Sequence, residues 1–210
     1  MKRLQGLLLV MGMGMVGCDE HQKIQQVESR GWPQSAAPIK DPIAAFVTLG
    51  AGVSRNNDGS LNTIYLDKTP VTDAALVHLS NQNKLILVSL CAPQFTDAGL
   101  VNLRSLTSLE QLHLTNSQVT AKGLRAIKRL ENLKVLLLGN TPITDAALGA
   151  MQVFQYLEVL ELLDTQVTDA GISHLNGLKR LKKLGLAGTQ VTDAGVAELQ
   201  KALPNCEIEK

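Results

Sequence analysis

Aliphatic residues return along this chain at a fixed interval of 24 residues, from about residue 61 to residue 208. Each interval contains three aliphatic positions in the pattern L-x-x-L-x-L. The three columns are Leu61, Leu85, Leu109, Leu133, Leu157 and Leu181; Ile64, Val88, Leu112, Leu136, Leu160, Leu184 and Ile208; and Leu66, Leu90, Leu114, Leu138, Leu162 and Leu186. A leucine-rich period of this length predicts a stack of structural repeats.

Each repeat divides into a strand segment and a helical segment. The L-x-L alternation has the period of two that is typical of a strand with one buried face. Farther along each repeat, two apolar residues stand three apart, which is helical spacing. These pairs are Leu76/Leu79, Leu100/Leu103, Leu124/Ile127, Leu148/Met151, Ile172/Leu175 and Val196/Leu199. One repeat cannot bury both of its faces, so the sequence predicts that stacked copies share a continuous leucine core.

The repeat L-x-x-L-x-L-x-x-T-x-V-T-D-A-G-L resembles that of bacterial leucine-rich repeat proteins over about residues 61–208. The resemblance implies an α/β fold, a leucine-rich repeat solenoid. Its curved parallel sheet of about seven strands would carry short helices on the convex side. The sequence departs from the pattern at Pro93 and Ser117, which replace Thr, and at Ala121-Lys122, which replaces Asp-Ala.

A Thr-Asp pair precedes the helical segment of most repeats, as Thr72-Asp73, Thr96-Asp97, Thr144-Asp145, Thr168-Asp169 and Thr192-Asp193. Threonine is a good N-cap residue, and an aspartate in the first turn meets the positive end of the helix dipole. The residue two after the aspartate is always Gly or Ala, which predicts close approach of the helix to the sheet. A ladder of calcium ligands is the alternative, but Ca²⁺ takes about 6–8 oxygens and each repeat offers one carboxylate.

The first and last parts of the repeat region read as covers for its ends. Residues 41–60 are predicted to form an N-terminal cap: a helix with Asp41 as its cap residue and Pro42 at its first position, then a hairpin turn at Asp58-Gly59. Residues 61–210 then form the repeats. Residues 205–210 are predicted to form a final imperfect strand whose charges protect the sheet edge.

The N-terminal 40 residues differ in composition from the rest. Met1-Lys2-Arg3 precedes an apolar run of 12 residues from Gly6 to Gly17, which is shorter than the ~20 needed to span a bilayer and typical of a secretory signal. The run ends in Met15-Val16-Gly17-Cys18, which resembles the lipobox of bacterial lipoproteins. That resemblance implies a signal peptide over residues 1–17, lipid modification of Cys18 and anchoring to a membrane of the cell envelope on the extracytoplasmic side. Residues 18–40 are then a flexible tether. The alternative is an ordinary signal peptide with a chance cysteine.

Composition and charge exclude several function classes. The 20 Lys and Arg balance 19 Asp and Glu, and aromatic residues are 3%, so neither the basic surface nor the stacking platforms of nucleic-acid binders are expected. Histidines and cysteines show no metal-ligand spacing, and Cys91 and Cys206 are expected to be free thiols. With no nucleophile–base pair or phosphate loop visible, we expect no enzyme, no cofactor and no metal.

Function is therefore expected on strand positions that point away from the core, since ligands of leucine-rich repeats usually bind the concave face. The candidate residues are Tyr65, Leu87, His113, Val135, Leu137, Val159, Glu161 and Leu163. The aliphatic members would form an exposed apolar patch with a polar rim, which marks a site for a protein or peptide partner. Alternatively, these residues merely favour strands. The chain is then a structural envelope component without a specific ligand. A further alternative is a ligand-binding adaptor of the ribonuclease-inhibitor or F-box-repeat type.

Overall fold

The computed structural model describes residues 41–210, so the predicted signal peptide, the tether and Cys18 lie outside the described residues. Helix α1 spans Pro42–Thr48, and Asp41 caps it by accepting hydrogen bonds from Ile43 N at 2.9 Å and Ala44 N at 3.1 Å. Strands β1 (Gly52–Arg55) and β2 (Leu61–Tyr65) then pair antiparallel as a hairpin. The helix and the hairpin expected before the repeats are thus both present.

Eight strands form one open sheet in sequence order. The remaining strands are β3 (Leu87–Ser89), β4 (Gln111–His113), β5 (Val135–Leu137), β6 (Val159–Glu161), β7 (Lys183–Gly185) and β8 (Glu207–Glu209). From β2 to β8 every neighbouring pair is parallel, and each residue faces the residue 24 positions later. The seven parallel strands and the leucine-rich repeat solenoid predicted from the sequence are confirmed.

Short helices connect the parallel strands. The α-helical turns are α2 (Asp97–Leu100), α3 (Ala121–Ala126), α4 (Asp145–Leu148), α5 (Asp169–Ile172) and α6 (Asp193–Ala202). Segments of 3₁₀ helix cover Asp73–Leu79, Val101–Leu103, Gly149–Val153 and Ser173–Gly177. A 24-residue repeat must return to the next strand within a few turns, so most of its helices are limited to one or two turns. No helix between residues 41 and 210 is both long and apolar enough to cross a membrane.

The aliphatic columns meet in one continuous core between the sheet and the helices. Leu112, Leu136 and Leu160 are fully buried, as are helical residues such as Leu124 and Leu148. We call the side of the sheet that faces these helices the helical face and its opposite side the open face. Cys91 and Cys206 are both buried, and no disulfide joins them, as expected. Burial raises the pKa of Cys206 to about 11, which keeps this thiol protonated and unreactive.

Four of the five aspartates of the Thr-Asp pairs bind the next repeat as well as beginning their own helix. Asp145, for example, accepts hydrogen bonds from Thr168 N at 2.8 Å and Thr168 Oγ1 at 2.7 Å. The same two bonds join Asp73 to Thr96, Asp97 to Thr120 and Asp169 to Thr192. We call this arrangement the aspartate bridge. It joins each of these repeats to the next one through side-chain hydrogen bonds.

The aspartate bridge also decides which threonines act as caps. Thr96, Thr120, Thr168 and Thr192 receive a bridge and accept a hydrogen bond from a helix N–H. Thr72 and Thr144 receive none, and their side chains make no cap hydrogen bond. The prediction of a threonine cap is therefore right for four repeats and wrong for these two. A hydroxyl that donates to a carboxylate is held with its lone pairs toward the helix, which explains the correlation.

The small residue two after the aspartate has a different cause from the one predicted. A Cβ at Gly171 would lie 2.6 Å from Asp145 Cγ and 2.9 Å from Asp145 Cα. Gly99, Gly123 and Gly195 stand in the same relation to the aspartate of the preceding repeat. Ala147 follows the repeat in which Ala121 replaces the aspartate. At these four glycines the neighbouring carboxylate, and not close approach to the sheet, excludes a larger residue.

Candidate binding face of the sheet

The candidate residues all lie on or beside the open face. One row of the sheet pairs Thr63, Leu87, Gln111, Val135, Val159 and Lys183, and the next pairs Tyr65, Ser89, His113, Leu137, Glu161 and Gly185. Leu163 lies two residues beyond Glu161, just after β6. The strand parity predicted from the sequence therefore assembles these residues on one surface.

The aliphatic residues of this surface are less accessible than the sequence predicts. Val135 is 1% exposed and Leu87 is 8% exposed, although neither belongs to the core cluster on the helical face. Leu137, Val159 and Leu163 are half-buried. The prediction that Leu87 and Val135 are exposed is therefore wrong. Strands of a parallel sheet are closely spaced, so neighbouring side chains cover these aliphatic groups. Leu137, Val159 and Leu163 remain as a shallow apolar floor.

Glu161 lies in this apolar floor without a counter-ion. Its side chain crosses Gly139, where a Cβ would stand 2.8 Å from Glu161 Oε1. A Cβ at Gly185 would make only an ordinary contact, 3.6 Å, with Glu161 Cγ, so it is Gly139 that makes room for this side chain. Burial raises the pKa of Glu161, while the charge of Lys183 opposes that shift.

The nearest cation does not neutralise Glu161. Lys183 Nζ instead lies 2.7 Å from Glu209 Oε1, and the hydrogen bond to Glu209 raises the pKa of Lys183. Within residues 41–210 the carboxylate of Glu161 makes no ion pair or hydrogen bond. A partly desolvated carboxylate without a donor is costly, so this site favours a ligand that supplies one.

Two further polar groups on the open face lack partners. Gln111 Oε1 and His113 Nε2 are buried, and neither has a hydrogen-bond partner among the described residues. Burial lowers the pKa of His113, and the charge of Asp67 opposes the shift. Since His113 and Glu161 stand on either side of Leu137 in one row, the apolar floor is bordered by unsatisfied polar groups.

Sequence reasoning missed a polar cluster at the first strands of this face. Asp67 Oδ1 accepts hydrogen bonds from Ser89 Oγ at 2.7 Å and Cys91 N at 2.8 Å. Ser89 Oγ lies 3.5 Å from Cys91 Sγ. The sequence signal that could have revealed this cluster is that Asp67, Ser89 and Cys91 all occupy outward positions in two adjacent repeats. Because Asp67 already accepts two hydrogen bonds, we interpret the cluster as stabilising the face, and not as a binding site. Between residues 41 and 210 no group of His, Cys, Asp and Glu is arranged to hold a metal ion.

Comparisons with known proteins agree with this architecture. The family model described as leucine-rich repeat matches residues 105–128, the length of one repeat. A leucine-rich repeat protein of Leptospira interrogans is similar at 25% identity and a TM-score of 0.51, over 64% of this chain and 33% of that one. Internalin F of Listeria monocytogenes is similar in fold at 18% identity and a TM-score of 0.50, over 71% and 47%.

The chain spans between about a third and about half the length of these two solved chains. A search among curated proteins returned no match. The comparisons therefore support the leucine-rich repeat fold, and this fold suggests a protein interaction module.

Proposed function

We propose that this chain is a protein-binding module held at the extracytoplasmic side of a bacterial membrane by a lipid on Cys18, with its partner seated on the open face. The observation that carries the binding proposal is Glu161, a half-buried carboxylate without a donor in an apolar surround. Gln111 Oε1 and His113 Nε2 add unsatisfied groups beside the same floor. Buried polar groups are normally hydrogen-bonded, so a bound partner toward which the Gln111 or His113 side chain turns would satisfy groups that have no partner in the free protein.

These features also define the partner's contact surface. A Lys or Arg side chain would supply the donor that Glu161 lacks, and the aliphatic stem of either residue would cover Leu137 and Leu163. The partner would therefore present a basic residue flanked by apolar ones. Because a carboxylate must be ionised to pair with a cation, binding should weaken as pH falls through the raised pKa of Glu161.

Site-specific photo-crosslinking in the cell tests the open face. A photoreactive residue in place of Leu163 should capture a distinct protein, and Glu161→Gln should reduce that capture about tenfold or more. The double variant Leu137→Glu, Val159→Glu should abolish it. A matched control, the helical-face control, places the same two charges in helical segments away from the open face, at Val47 and Val77, which are 47% and 48% exposed.

Two results would contradict this binding proposal. One is capture that survives both charges on the open face. The other is equal loss from the helical-face control, which would show a general effect of added charge. If position 163 captures nothing in the cell, the alternative of a structural envelope component without a ligand is favoured. The burial of Leu87 and Val135 by their own neighbours is the observation that supports this alternative.

The membrane proposal has a separate test. The lipobox resemblance of Met15-Val16-Gly17-Cys18 supports cleavage before Cys18 and acylation of its thiol. Mass spectrometry of the protein from bacterial membranes should show a chain beginning at residue 18 with added acyl mass. Cys18→Ser should release the protein from the lipoprotein fraction. An intact residue 17–18 bond with an unmodified thiol would overturn the proposal.

A further inference from the structure

The third repeat, residues 109–132, carries a concentration of positive charge on the helical face. Its helical segment and the turn after it, residues 121–130, contain Lys122, Arg125, Lys128 and Arg129 and no acidic residue. All four side chains belong to exposed residues. Arg104 occupies the position equivalent to Lys128 in the preceding repeat and is also exposed. We call these five residues the basic cluster.

The basic cluster is unpaired, in contrast to the other cations. Apart from Lys68, every other Lys or Arg between residues 41 and 210 has a partner. Lys84, Lys134, Lys182, Lys183, Lys201 and Lys210 are ion-paired, Arg55 and Lys179 donate to carbonyls, and Arg180 lies 4.3 Å from the ring centre of Tyr156. No residue of the basic cluster makes such a contact with the described part of the chain.

The missing aspartate of this repeat strengthens the cluster. Ala121 stands where the other repeats carry the bridging carboxylate. Asp97, in the repeat before, is already bonded to Thr120 N and Thr120 Oγ1, both at 2.7 Å. Only Glu131, just after the cluster, offers a nearby free carboxylate in the sequence. The local charge is thus strongly positive in a chain whose net charge is only +1.

Apolar side chains lie beside these cations. Val101 and Val153 are 43% and 41% exposed. They occupy the positions equivalent to Arg125 in the repeat before and to Arg129 in the repeat after. Cations next to accessible aliphatic groups suit the boundary between phosphate headgroups and acyl chains. The absence of aromatic residues within residues 121–130 removes the stacking contacts of a nucleic-acid site.

We propose that the basic cluster docks the solenoid, helical face first, on an anionic phospholipid surface. Basic clusters of this size bind anionic lipid with a strength that grows with each Lys or Arg near the surface. Docking in this way would leave the open face pointing away from the lipid, available to a partner. The inference does not require the acyl group on Cys18, because it rests on side chains of the folded repeats.

Vesicle flotation of the full chain tests this docking. A Cys18→Ser background removes lipid attachment from every sample. The wild-type cluster should bind vesicles of phosphatidylcholine with phosphatidylglycerol more tightly than phosphatidylcholine alone, and added salt should reduce the difference. The triple variant Arg125→Gln, Lys128→Gln, Arg129→Gln should lose roughly 100-fold of the affinity for anionic vesicles, from about a factor of five per charge.

The matched control is Lys179→Gln, Arg180→Gln, Lys182→Gln, which removes the same net charge two repeats away. It should keep most of the vesicle affinity. Equal losses in the two triple variants would overturn the proposal, because only net charge would then matter. Equal binding to neutral and anionic vesicles would overturn it as well. So would a triple variant of the cluster that floats normally but no longer binds an acidic peptide such as poly-glutamate, since the cluster would then be a protein-binding site.

Discussion

Two junctions between adjacent repeats show how the solenoid is held together. At the junction of the fourth and fifth repeats, Asp145 accepts two hydrogen bonds from Thr168, and Gly171 lies against the carboxylate. At the junction of the third and fourth repeats, Ala121 and Ala147 stand in the equivalent places, and Thr144 makes no side-chain cap bond. One junction is joined by a charged hydrogen-bonded bridge, and the other by an alanine pair.

The difference shows that the Asp and the Gly form a pair across the junction. A carboxylate at the first position leaves no room for a Cβ at the second, and the alanine pair removes both the carboxylate and the need for glycine. Since repeat proteins are stabilised mainly by contacts between nearest neighbours, a weaker junction is a place where the stack can open. We expect the third-to-fourth junction to be the weaker one.

Adding a methyl group to the bridged junction should have the largest effect. In Gly171→Ala the new Cβ would meet Asp145 Cα at 2.9 Å, a backbone atom that cannot move aside easily. Overpacking of this kind should lower the free energy of unfolding by about 3 kcal/mol. Urea unfolding measures the change. Gly149→Ala is the matched control, because nothing lies within 4 Å of a Cβ there; if both variants unfold at the same urea concentration, the steric account is wrong.

Removing the carboxylate should have the next largest effect. Asp145→Ala deletes two charge-assisted hydrogen bonds to Thr168 and should lower the free energy of unfolding by about 2 kcal/mol. In this background Gly171→Ala should cost much less than it does alone, because the pair then matches Ala121 and Ala147. A double-mutant cycle followed by urea unfolding checks both statements. Strict additivity of the two changes would disprove the coupling.

Building the missing bridge should have a smaller effect of opposite sign. Ala121→Asp places a carboxylate opposite Thr144, and Ala147→Gly provides the room for it. The double variant should be about 1 kcal/mol more stable than the wild type, since two hydrogen bonds outweigh the helix cost of glycine. Ala121→Asp alone should destabilise the protein, because Ala147 blocks the carboxylate. Thermal unfolding separates the wild type, the single variant and the double variant, and a single variant that is as stable as the double would contradict the pairing.

Much of this architecture could be predicted from the sequence because it follows from periodicity and local chemistry. The period of 24 gave the strand register, and Asp41-Pro42 and Asp58-Gly59 marked the N-terminal helix and hairpin. The aspartate bridge could not be found by considering one repeat at a time, since its donor lies 23 residues away. The sequence does contain one sign of it. Where one repeat has Asp145, the next has Gly171, and where one repeat has Ala121, the next has Ala147.

The candidate face also has properties that the sequence predicts and properties that it does not. Strand parity was enough to place Tyr65, His113 and Glu161 on one surface. It could not give their burial, which depends on side chains of the adjacent strands: Val135 is 1% exposed although it points away from the core, and Tyr65 is 42% exposed. The unpaired state of Glu161 also depends on where the Lys183 side chain lies, and Lys183 is bonded to Glu209.

Acid should have the smallest of these effects. It should make a junction with an aspartate bridge more similar in stability to a junction without one. Hydrogen bonds from the Thr192 side chain and then from its backbone lower the pKa of Asp169 below its ordinary value of 3.8. A carboxyl whose pKa is lower in the folded state binds protons more readily when unfolded. Its contribution to stability is therefore fully present above pH 3.8 and is lost as pH falls through the folded pKa. The stability difference between wild type and Asp169→Ala, measured by urea unfolding, should be constant near neutral pH and shrink below that value. A difference that stays unchanged into strong acid would show that the ionised carboxylate is not what joins the repeats.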